Sequence, residues 1–265
     1  MSRAPPRSSG ASYNSPTLIY VALPAYNEEE ALPLLLGRLA GVAERHFGDG
    51  LQVIVVDDGS RDRTAEVTRA FAAQSRMVVH LVPHGVNRGL GQAIQTGLRA
   101  ALERAGDEDV IVTMDSDDTH IPGLIPRMAR LIEEGNDVVI ASRYQQGARM
   151  VGIPWNRQML SKGLSLMFQV VYPIPGARDY SCGYRAYRPS VLRAAYARWG
   201  DRFVSERGFA CMVDILMKLH MIGALVIEVP MVLRYDRKPG ETKMPVRKTI
   251  VQTFALLLRR RFGRI

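Results

Sequence analysis

The chain has 265 residues, of which 47% are hydrophobic and 23% are charged, so it can bury a full core and global disorder is excluded. Its 35 lysine and arginine residues outnumber 26 aspartate and glutamate residues and give a net charge of +9. That excess predicts an anionic partner: nucleic acid, phospholipid headgroups or a phosphorylated substrate. Two cysteines are too few for a disulfide scaffold or a zinc site and suit a reducing cytosol.

Composition divides the chain into three segments. Residues 1–16 are rich in Ser, Pro, Arg and Ala and lack the apolar region of a signal peptide, so we expect a disordered tail. Residues 17–245 have the pattern of one globular domain, and residues 246–265 that of a basic amphipathic helix. No run of 18 apolar residues occurs in the sequence, so no membrane span is predicted.

Short apolar runs alternate with helical stretches along the first half of the domain. Strands are predicted at residues 18–23, 53–56, 77–81, 110–114 and 138–140, with helices near residues 28–47, 63–74, 91–104 and 122–133. Further on we expect a helix at 156–172, a turn-rich stretch at 173–189, a helix near 208–220 and strands near 225–229 and 231–235. The alternation predicts an α/β fold with a mostly parallel central sheet covered by helices.

Polar loops follow the first four predicted strands. They are Pro24-Ala25-Tyr26-Asn27-Glu28, Asp57-Asp58-Gly59-Ser60, Asn87-Arg88-Gly89-Leu90-Gly91 and Asp115-Ser116-Asp117-Asp118. Ligands of parallel α/β sheets bind beyond the carboxyl ends of the strands, where such loops meet. The sequence therefore predicts an acidic, glycine-containing binding site at this edge of the sheet.

The pair Asp115 and Asp117 can share a divalent cation with a diphosphate, because Mg²⁺ and Mn²⁺ prefer oxygen ligands and keep phosphate oxygens in their shell. Such a cation would neutralise a leaving nucleoside diphosphate. A solvated acidic turn is the simpler alternative. The stretch from Asp115 to Thr119 also fits the D-x-D-x-T pattern of haloacid-dehalogenase-like phosphatases, but their motif normally follows the first strand and here it follows the fourth.

Asp57-Asp58-Gly59-Ser60 can place one carboxylate near a base or a ribose hydroxyl, with Gly59 allowing the turn. A plain helix cap is the alternative. The glycine-rich segment at 87–91 is not G-x-G-x-x-G and does not follow the first strand, so a dinucleotide site is disfavoured.

In this order the motifs resemble those of the family 2 glycosyltransferases, and within them the dolichol-phosphate (polyprenyl-phosphate) mannosyltransferase-like group. Besides the four loops, the matching segments are His120-Ile121-Pro122, Ala141-Ser142-Arg143-Tyr144, Asp179-Tyr180-Ser181-Cys182-Gly183-Tyr184-Arg185, Glu228-Val229-Pro230 and Gly240-Glu241-Thr242-Lys243-Met244. The resemblance covers about residues 18–245. It implies a nucleotide-sugar-dependent glycosyltransferase domain of the glycosyltransferase-A type.

The resemblance also implies roles for individual residues on the donor side. The nucleotide-sugar would be bound by Pro24, Ala25, Tyr26, Asn27, Glu28, Asp57 or Asp58, Gly89, Asp115, Ser116, Asp117, Arg237 and Lys243. Mg²⁺ or Mn²⁺ would be held by Asp115 and Asp117. The donor would be GDP-mannose, with UDP-glucose as the alternative. Transfer would invert the configuration at the anomeric carbon of the sugar.

On the acceptor side, the resemblance implies that Arg143, Arg157 and Ser161 cradle the phosphate of a polyprenyl or dolichyl phosphate. Arginine suits this task because its planar fork donates two parallel hydrogen bonds. Asp214 lies where the family usually carries a glutamate, and it is a candidate for a base or a sugar-hydroxyl ligand. A hydroxyl acceptor, such as a glycan or glycolipid, is the alternative; nucleic acid is disfavoured because the 7% aromatic content shows no stacking stripe.

Two segments are candidates for contact with an anionic membrane surface. Residues 160–171 are apolar and lie near Arg157 and Lys162, and residues 246–264 mix apolar with basic side chains. Peripheral association with the cytoplasmic face of a membrane is expected. A C-terminal helix that packs on the domain or on a partner protein is the alternative.

Overall fold

The computed structural model of the protein describes residues 17–206, 208 and 210–237. The predictions for residues 1–16, for Lys243 and for the helix at 246–265 lie outside the described residues.

A seven-stranded sheet forms the centre of the molecule, in the order β3-β2-β1-β4-β7-β5-β8. Every pair in it is parallel except those of β7, which runs antiparallel to both β4 and β5. Two further strands, β6 and β9, pair parallel in a small separate sheet. The strands are β1 Ile19–Ala25, β2 Leu51–Asp57, β3 Val78–Pro83, β4 Val110–Thr113, β5 Val138–Ser142, β6 Arg149–Val151, β7 Arg185–Tyr187, β8 Val226–Pro230 and β9 Val232–Arg234.

Seven α-helices occur in the described part of the chain. They are α1 Ala31–His46, α2 Thr64–Gln74, α3 Leu90–Leu102, α4 Ile125–Glu133, α5 Trp155–Val171, α6 Pro189–Trp199 and α7 Ala210–Met221. Helix α4 buries one face, formed by Ile125, Met128, Ala129 and Ile132, whereas in α7 residues 210–219 are all buried. The predicted fold class, a mostly parallel sheet covered by helices, is confirmed.

The inner strands β1, β2, β4 and β5 form because their residues are apolar on both faces, as expected for strands covered by helices on both sides. The four residues from Val53 to Val56 of β2 are all 0% exposed, and so are Val110, Ile111 and Val112 of β4. Because β1, β2, β3 and β4 are mutually parallel in one sheet, their carboxyl ends lie at the same edge, as predicted.

The prediction of a turn-rich stretch over residues 173–189 is wrong at its end, because Arg185–Tyr187 form β7, which lies between β4 and β5. This strand has only three residues and begins with the charged Arg185, so its sequence carries no apolar run. Arg185 is nevertheless 0% exposed, because its Nη1 and Nη2 donate to the carbonyls of Met212 and Tyr180 at 2.8 and 2.6 Å. None of the described helices has the length and apolar character needed to cross a bilayer.

Candidate active site

The loops after β1 and β2 are joined by reciprocal hydrogen bonds. Asn27 adopts a left-handed backbone conformation with φ +55°, and its amide N–H donates to Ser60 Oγ at 3.0 Å. The Asn27 side chain in turn accepts from the amide of Arg61 at 2.8 Å, and the amide of Glu28 donates to Thr64 Oγ1 at 2.8 Å. These bonds fix the backbone of the segment 24–28 and leave Tyr26 half-buried at the edge of the sheet.

Asp58 connects this edge to the loop that follows β3. Its Oδ1 accepts from His84 Nδ1 at 2.7 Å and from the amide of Arg88 at 2.9 Å, while its Oδ2 accepts from the amide of Gly89 at 2.8 Å. The carboxylate is 3% exposed, so its hydrogen bonds are directed into the protein. Gly59 completes this joint, because a Cβ there would lie 2.3 Å from the carbonyl carbon of Val86.

Asp57 differs from its neighbour. Among the described residues one hydrogen bond reaches its carboxylate, from the amide of Ser60 to Oδ1 at 2.9 Å. Asp57 ends β2 opposite Ala25 of β1, at the edge where a ligand would lie. The sequence left open which aspartate faces the nucleoside, and the hydrogen bonds make Asp57 the one with a carboxylate oxygen to spare.

The loop after β4 carries the two acids of the D-x-D motif. Ser116 Oγ donates to the carbonyl of Pro24 at 2.8 Å, which ties this loop to the end of β1. Asp117 is 8% exposed, and its Oδ1 accepts from the amide and the hydroxyl of Thr119 at 3.2 and 2.7 Å. The backbone of Asp118 is left-handed, with φ +58°, and its carboxylate lies 2.9 Å from Nε of Arg38 on α1.

Asp115 is the more accessible of the two acids, with a side chain 38% exposed. His120 lies beneath it: the amide of Asp115 donates to His120 Nδ1 at 3.2 Å, and Nε2 lies 3.8 Å from Asp115 Oδ2. Gly183 leaves room for the carboxylate, because a Cβ there would lie 3.1 Å from Asp115 Oδ1.

The carboxylate oxygens of this loop suit a hard divalent cation whose remaining ligands come from outside the protein. No group of three or more His, Cys, Asp or Glu side chains suited to a metal occurs in the described part of the chain. Two carboxylates that follow one strand are oxygen ligands of the kind Mg²⁺ uses when substrate phosphates and water supply the rest.

Arg143 follows β5 and forms a buried ion pair with Asp179. Asp179 is 0% exposed and accepts from Nε, Nη2 and the amide of Arg143, at 2.8, 2.6 and 3.0 Å. Burial alone would lower the pKa of Arg143, but the Asp179 carboxylate outweighs it and raises that pKa well above its ordinary value. The guanidinium also donates to Ser181 Oγ at 2.8 Å. Arg143 is therefore a fixed cation.

The other two residues of the predicted acceptor site lie on one face of α5. The Ser161 hydroxyl is hydrogen-bonded to the hydroxyl of Tyr144, the residue after Arg143. The Arg157 guanidinium lies over the ring of Tyr235, 5.6 Å from its centroid.

This acceptor side is joined to the D-x-D loop through β9. The amide of Arg234 donates to the carbonyl of Thr119 at 2.9 Å, and Tyr235, Asp236 and Arg237 form a short 3-10 turn directly afterwards. Arg237 is half-buried in that turn. Gly152, after β6, packs against Asp236, because a Cβ there would lie 2.6 Å from the Asp236 amide nitrogen.

Asp214 on α7 lies in a buried polar cluster. It is 0% exposed, lies 2.6 Å from Nζ of Lys218 and accepts from the hydroxyl of Ser205 at 2.8 Å. These contacts account for the Asp214 carboxylate structurally, and a role as base or sugar-hydroxyl ligand stays a prediction.

The sequence did not reveal two residues that support the predicted site. His84 is hydrogen-bonded to Asp58, and Asp179 forms an ion pair with Arg143. Asp179 is the first residue of the family-matching segment 179–185, so the sequence marked its position but not its pairing with Arg143. His84 carries no signal, because a histidine between a strand and a glycine-rich loop has no distinctive spacing.

Comparison with known proteins shows the family to which the chain belongs. The family model described as Glycosyl transferase family 2 matches residues 20–195. An undecaprenyl-phosphate mannosyltransferase of Micrococcus luteus is 35% identical over 85% of this chain and 87% of its own. A polyprenol monophosphomannose synthase of Mycolicibacterium smegmatis is 33% identical over 84% and 80%, and a dolichol-phosphate mannosyltransferase of Pyrococcus furiosus is 31% identical over 85% and 59%.

Solved structures agree on the fold. Glucosyl-3-phosphoglycerate synthase from Mycobacterium tuberculosis, in complex with Mn²⁺, UDP and phosphoglyceric acid, has a TM-score of 0.65 at 19% identity, covering 93% of this chain and 79% of its own. Mannosyl-3-phosphoglycerate synthase from Rubrobacter xylanophilus has a TM-score of 0.62 at 20% identity, covering 94% and 76%. The predicted resemblance and the predicted glycosyltransferase-A type are confirmed, and the chain belongs to glycosyl transferase family 2.

Proposed function

We propose that this glycosyltransferase transfers a hexose, preferably mannose, from a nucleotide-sugar donor to the phosphate of a polyprenyl phosphate, with Mg²⁺ or Mn²⁺ at Asp115 and Asp117. The curated relatives named above support the acceptor and the sugar, because all three are named for mannose transfer to such lipids. GDP-mannose is the proposed donor, and UDP-glucose is the rival.

One observation carries the proposal: the acidic loop and the basic acceptor side are bonded to each other. The hydrogen bond from Arg234 to Thr119 brings the turn that holds Tyr235 against the D-x-D loop, and Arg157 lies over Tyr235. Negative charges that could hold a cation and its diphosphate thus lie next to positive charges that could hold a second anion.

On the donor side, the segment 24–28 would form one wall of the nucleoside pocket. The Asp57 oxygen that accepts no hydrogen bond from the described part of the chain would accept from a base N–H or a ribose hydroxyl. Arg237 is the proposed phosphate ligand from the opposite wall, together with Lys243, which lies outside the described residues. A divalent cation held by Asp115 and Asp117 would neutralise the charge of the leaving nucleoside diphosphate.

On the acceptor side, Arg143, Arg157 and Ser161 would orient the lipid phosphate. A phosphate monoester is an anion at neutral pH, so it needs positioning and charge neutralisation more than a general base. Its oxygen attacks the anomeric carbon as the bond from that carbon to the diphosphate oxygen breaks, and the configuration inverts. The fixed positive charge of Arg143 suits this task.

A lipid acceptor also needs contact with a membrane, and α5 offers a surface for it. Trp155, Met159, Leu166 and Val170 share one face of this helix and are 77%, 59%, 62% and 74% exposed, and Leu160 beside that face is 46% exposed. These make up half of the exposed large apolar side chains in the described residues. An apolar face on the helix that carries Arg157 and Ser161 suits peripheral binding at a bilayer surface.

The test is transfer of radiolabelled sugar from GDP-mannose and from UDP-glucose to polyprenyl phosphate, with and without Mg²⁺ or Mn²⁺. Polyprenol, which lacks the phosphate, is the matched acceptor. We expect metal-dependent labelling of polyprenyl phosphate that is abolished in Arg157→Ala and kept in Arg69→Ala, a change to an exposed arginine on α2. If polyprenol or a glycan is labelled, and Arg157→Ala labels it as fast as the wild type does, the proposal that the acceptor is a phosphate is overturned.

A further inference from the structure

Tyr144 is the residue that physically joins Arg143 to α5. It follows Arg143 at the end of β5, and its half-buried side chain reaches Ser161, with which its hydroxyl is hydrogen-bonded. The Arg143 guanidinium lies over the Tyr144 ring, 5.4 Å from its centroid. The phenol therefore contacts two of the three side chains of the proposed phosphate site.

The hydroxyl pair has a proton left to donate. Tyr144 and Ser161 carry one O–H each, and their mutual hydrogen bond consumes one of the two protons. Among the described residues neither hydroxyl makes a second side-chain hydrogen bond. Whichever hydroxyl donates within the pair, the other can donate outward.

The phenol also stays protonated at neutral pH. Burial raises the pKa of Tyr144, and although the neighbouring Arg143 lowers it, the net direction is upward. A neutral phenol is a donor, and hydrogen bonds from donors to an anion are stronger than those to a neutral acceptor.

We infer that Tyr144, acting as a pair with Ser161, donates a hydrogen bond to the phosphate of the acceptor and so helps to select a phosphate over an alcohol. This inference rests on the proposed function. The arginines supply positive charge, whereas the hydroxyl pair supplies a neutral, directional donor. A neutral hydroxyl acceptor would gain less from this donor, because it carries no charge to strengthen the bond.

The experiment measures kcat and KM of purified full-length variants with polyprenyl phosphate and GDP-mannose, or UDP-glucose if that proves the donor. Tyr144→Phe keeps the ring under Arg143 and removes only the hydroxyl. We expect its KM for polyprenyl phosphate to rise roughly tenfold, as for a lost hydrogen bond to a charged group, with the donor KM within twofold. Ser161→Ala should behave alike, and the double variant should be little worse than either, because the two hydroxyls act as one unit.

Tyr196→Phe is the matched control, because Tyr196 also lies under a guanidinium, that of Arg99 at 5.2 Å, while its hydroxyl donates to the carbonyl of Gln95 and not to a residue of the proposed phosphate site. Its KM values should equal those of the wild type. A Tyr144→Phe variant with unchanged KM for polyprenyl phosphate, or with the donor KM raised as much, overturns the inference.

Arg157→Ala distinguishes a failure of the role inferred for Tyr144 from a failure of the proposed function. If it abolishes transfer to polyprenyl phosphate while Tyr144→Phe is unaffected, only the role of Tyr144 falls. If the wild type does not use polyprenyl phosphate at all, the proposed function and this inference fall together.

Discussion

The carboxylate of Asp179 holds the guanidinium of Arg143 at two points, with Nε at 2.8 Å and Nη2 at 2.6 Å. Glu228 supports this pair from below, because its Oε1 accepts from the amides of Arg178 and Asp179, both at 2.6 Å. The guanidinium is therefore fixed on one edge by the protein, which makes its other edge a pre-oriented donor. Pre-orientation of this kind is what an anion site requires.

Replacing Asp179 by Asn should impair the acceptor side and spare the donor side. The amide keeps the volume but removes the charge that fixes Arg143, so we expect kcat/KM for polyprenyl phosphate to fall about tenfold or more, as for one misplaced charge-assisted hydrogen bond. The donor KM should stay near the wild-type value. Asp201→Asn is the control, since Asp201 pairs with Arg99 in an exposed position and should have little effect. Equal losses on both substrates would contradict a positioning role.

The same ion pair predicts how stability depends on pH. Burial alone would raise the pKa of Asp179, but the Arg143 guanidinium outweighs it and holds that pKa below the ordinary value of 3.8. Stability from a lowered carboxyl pKa is present above the unfolded pKa and is lost as the pH falls through the folded one.

Urea unfolding of the wild type and Asp179→Asn across that range is the measurement. At pH 7 we expect the variant to be less stable by about 3 kcal/mol or more, as for a buried pair that loses one partner. The difference should shrink as the pH falls below 3.8. A difference that stays constant down to the acid-unfolding limit would mean that Asp179 does not titrate as an ion-paired group.

Two glycines with the same backbone conformation should respond differently to alanine. Gly59 has φ +69° and Gly85 has φ +70°, but a Cβ at Gly59 would collide with the Val86 and Asn87 backbone at 2.3 and 2.5 Å, whereas nothing lies within 4 Å of one at Gly85. Gly85→Ala should cost only the left-handed strain, about 1–2 kcal/mol. Gly59→Ala should cost clearly more and also weaken donor binding, because the joined loops must separate. Similar unfolding free energies for the two variants would argue against a close joint.

The two neighbouring aspartates should separate into a ligand and a support. Asp57→Asn can still accept from the Ser60 amide, so its melting temperature should change little while the KM for the nucleotide-sugar rises at least tenfold. In Asp58→Asn an NH₂ group replaces one of the two carboxylate oxygens, so either the Gly89 amide or His84 loses its hydrogen-bond acceptor. The variant should therefore be less stable by about 1–3 kcal/mol. Thermal unfolding together with donor titration checks both. A stable Asp58→Asn with a large donor defect would reverse the assignment.

The strands and the loops of the site were predictable because their signals are local. An apolar run from Val53 to Val56 predicts a buried strand, and the acids that follow such runs must meet at one edge of a parallel sheet. Strand β7 was not predictable, because its first residue is an arginine, and one of the two carbonyls that accept from its guanidinium, that of Met212, lies far along the chain. A charged residue in a short segment indicates exposure unless such a distant acceptor is known.

The sequence also could not predict which of Asp57 and Asp58 has a carboxylate oxygen available for the nucleoside, again because the answer depends on residues distant in the chain. It depends on His84, which is 26 residues away, and on two amides of the loop after β3. The sequence limits a nucleoside contact to two carboxylates, and only tertiary hydrogen bonding distinguishes them. The motifs therefore predict where a candidate site lies, whereas the residues that support its side chains are recognised only in the folded structure.

The exposed face of α5 should contribute to membrane binding in a way that salt does not remove. Basic side chains near an anionic bilayer lose their attraction as ionic strength rises, whereas insertion of apolar side chains does not. We therefore expect sedimentation with anionic vesicles to fall only partly in high salt for the wild type. For a Met159→Glu, Leu166→Glu double variant at the same salt, binding should fall at least tenfold further, because two side chains that are 59% and 62% exposed can no longer enter the bilayer.

Leu34→Glu is the matched control for that experiment, since Leu34 is similarly exposed, at 55%, but lies on a different helix, α1. It should sediment like the wild type at every salt concentration. Transfer to a short, water-soluble polyprenyl phosphate should be unchanged in the double variant, because the face that it alters points away from Arg157 and Ser161. Unchanged vesicle binding of the double variant in high salt would show that this apolar face does not contact the membrane.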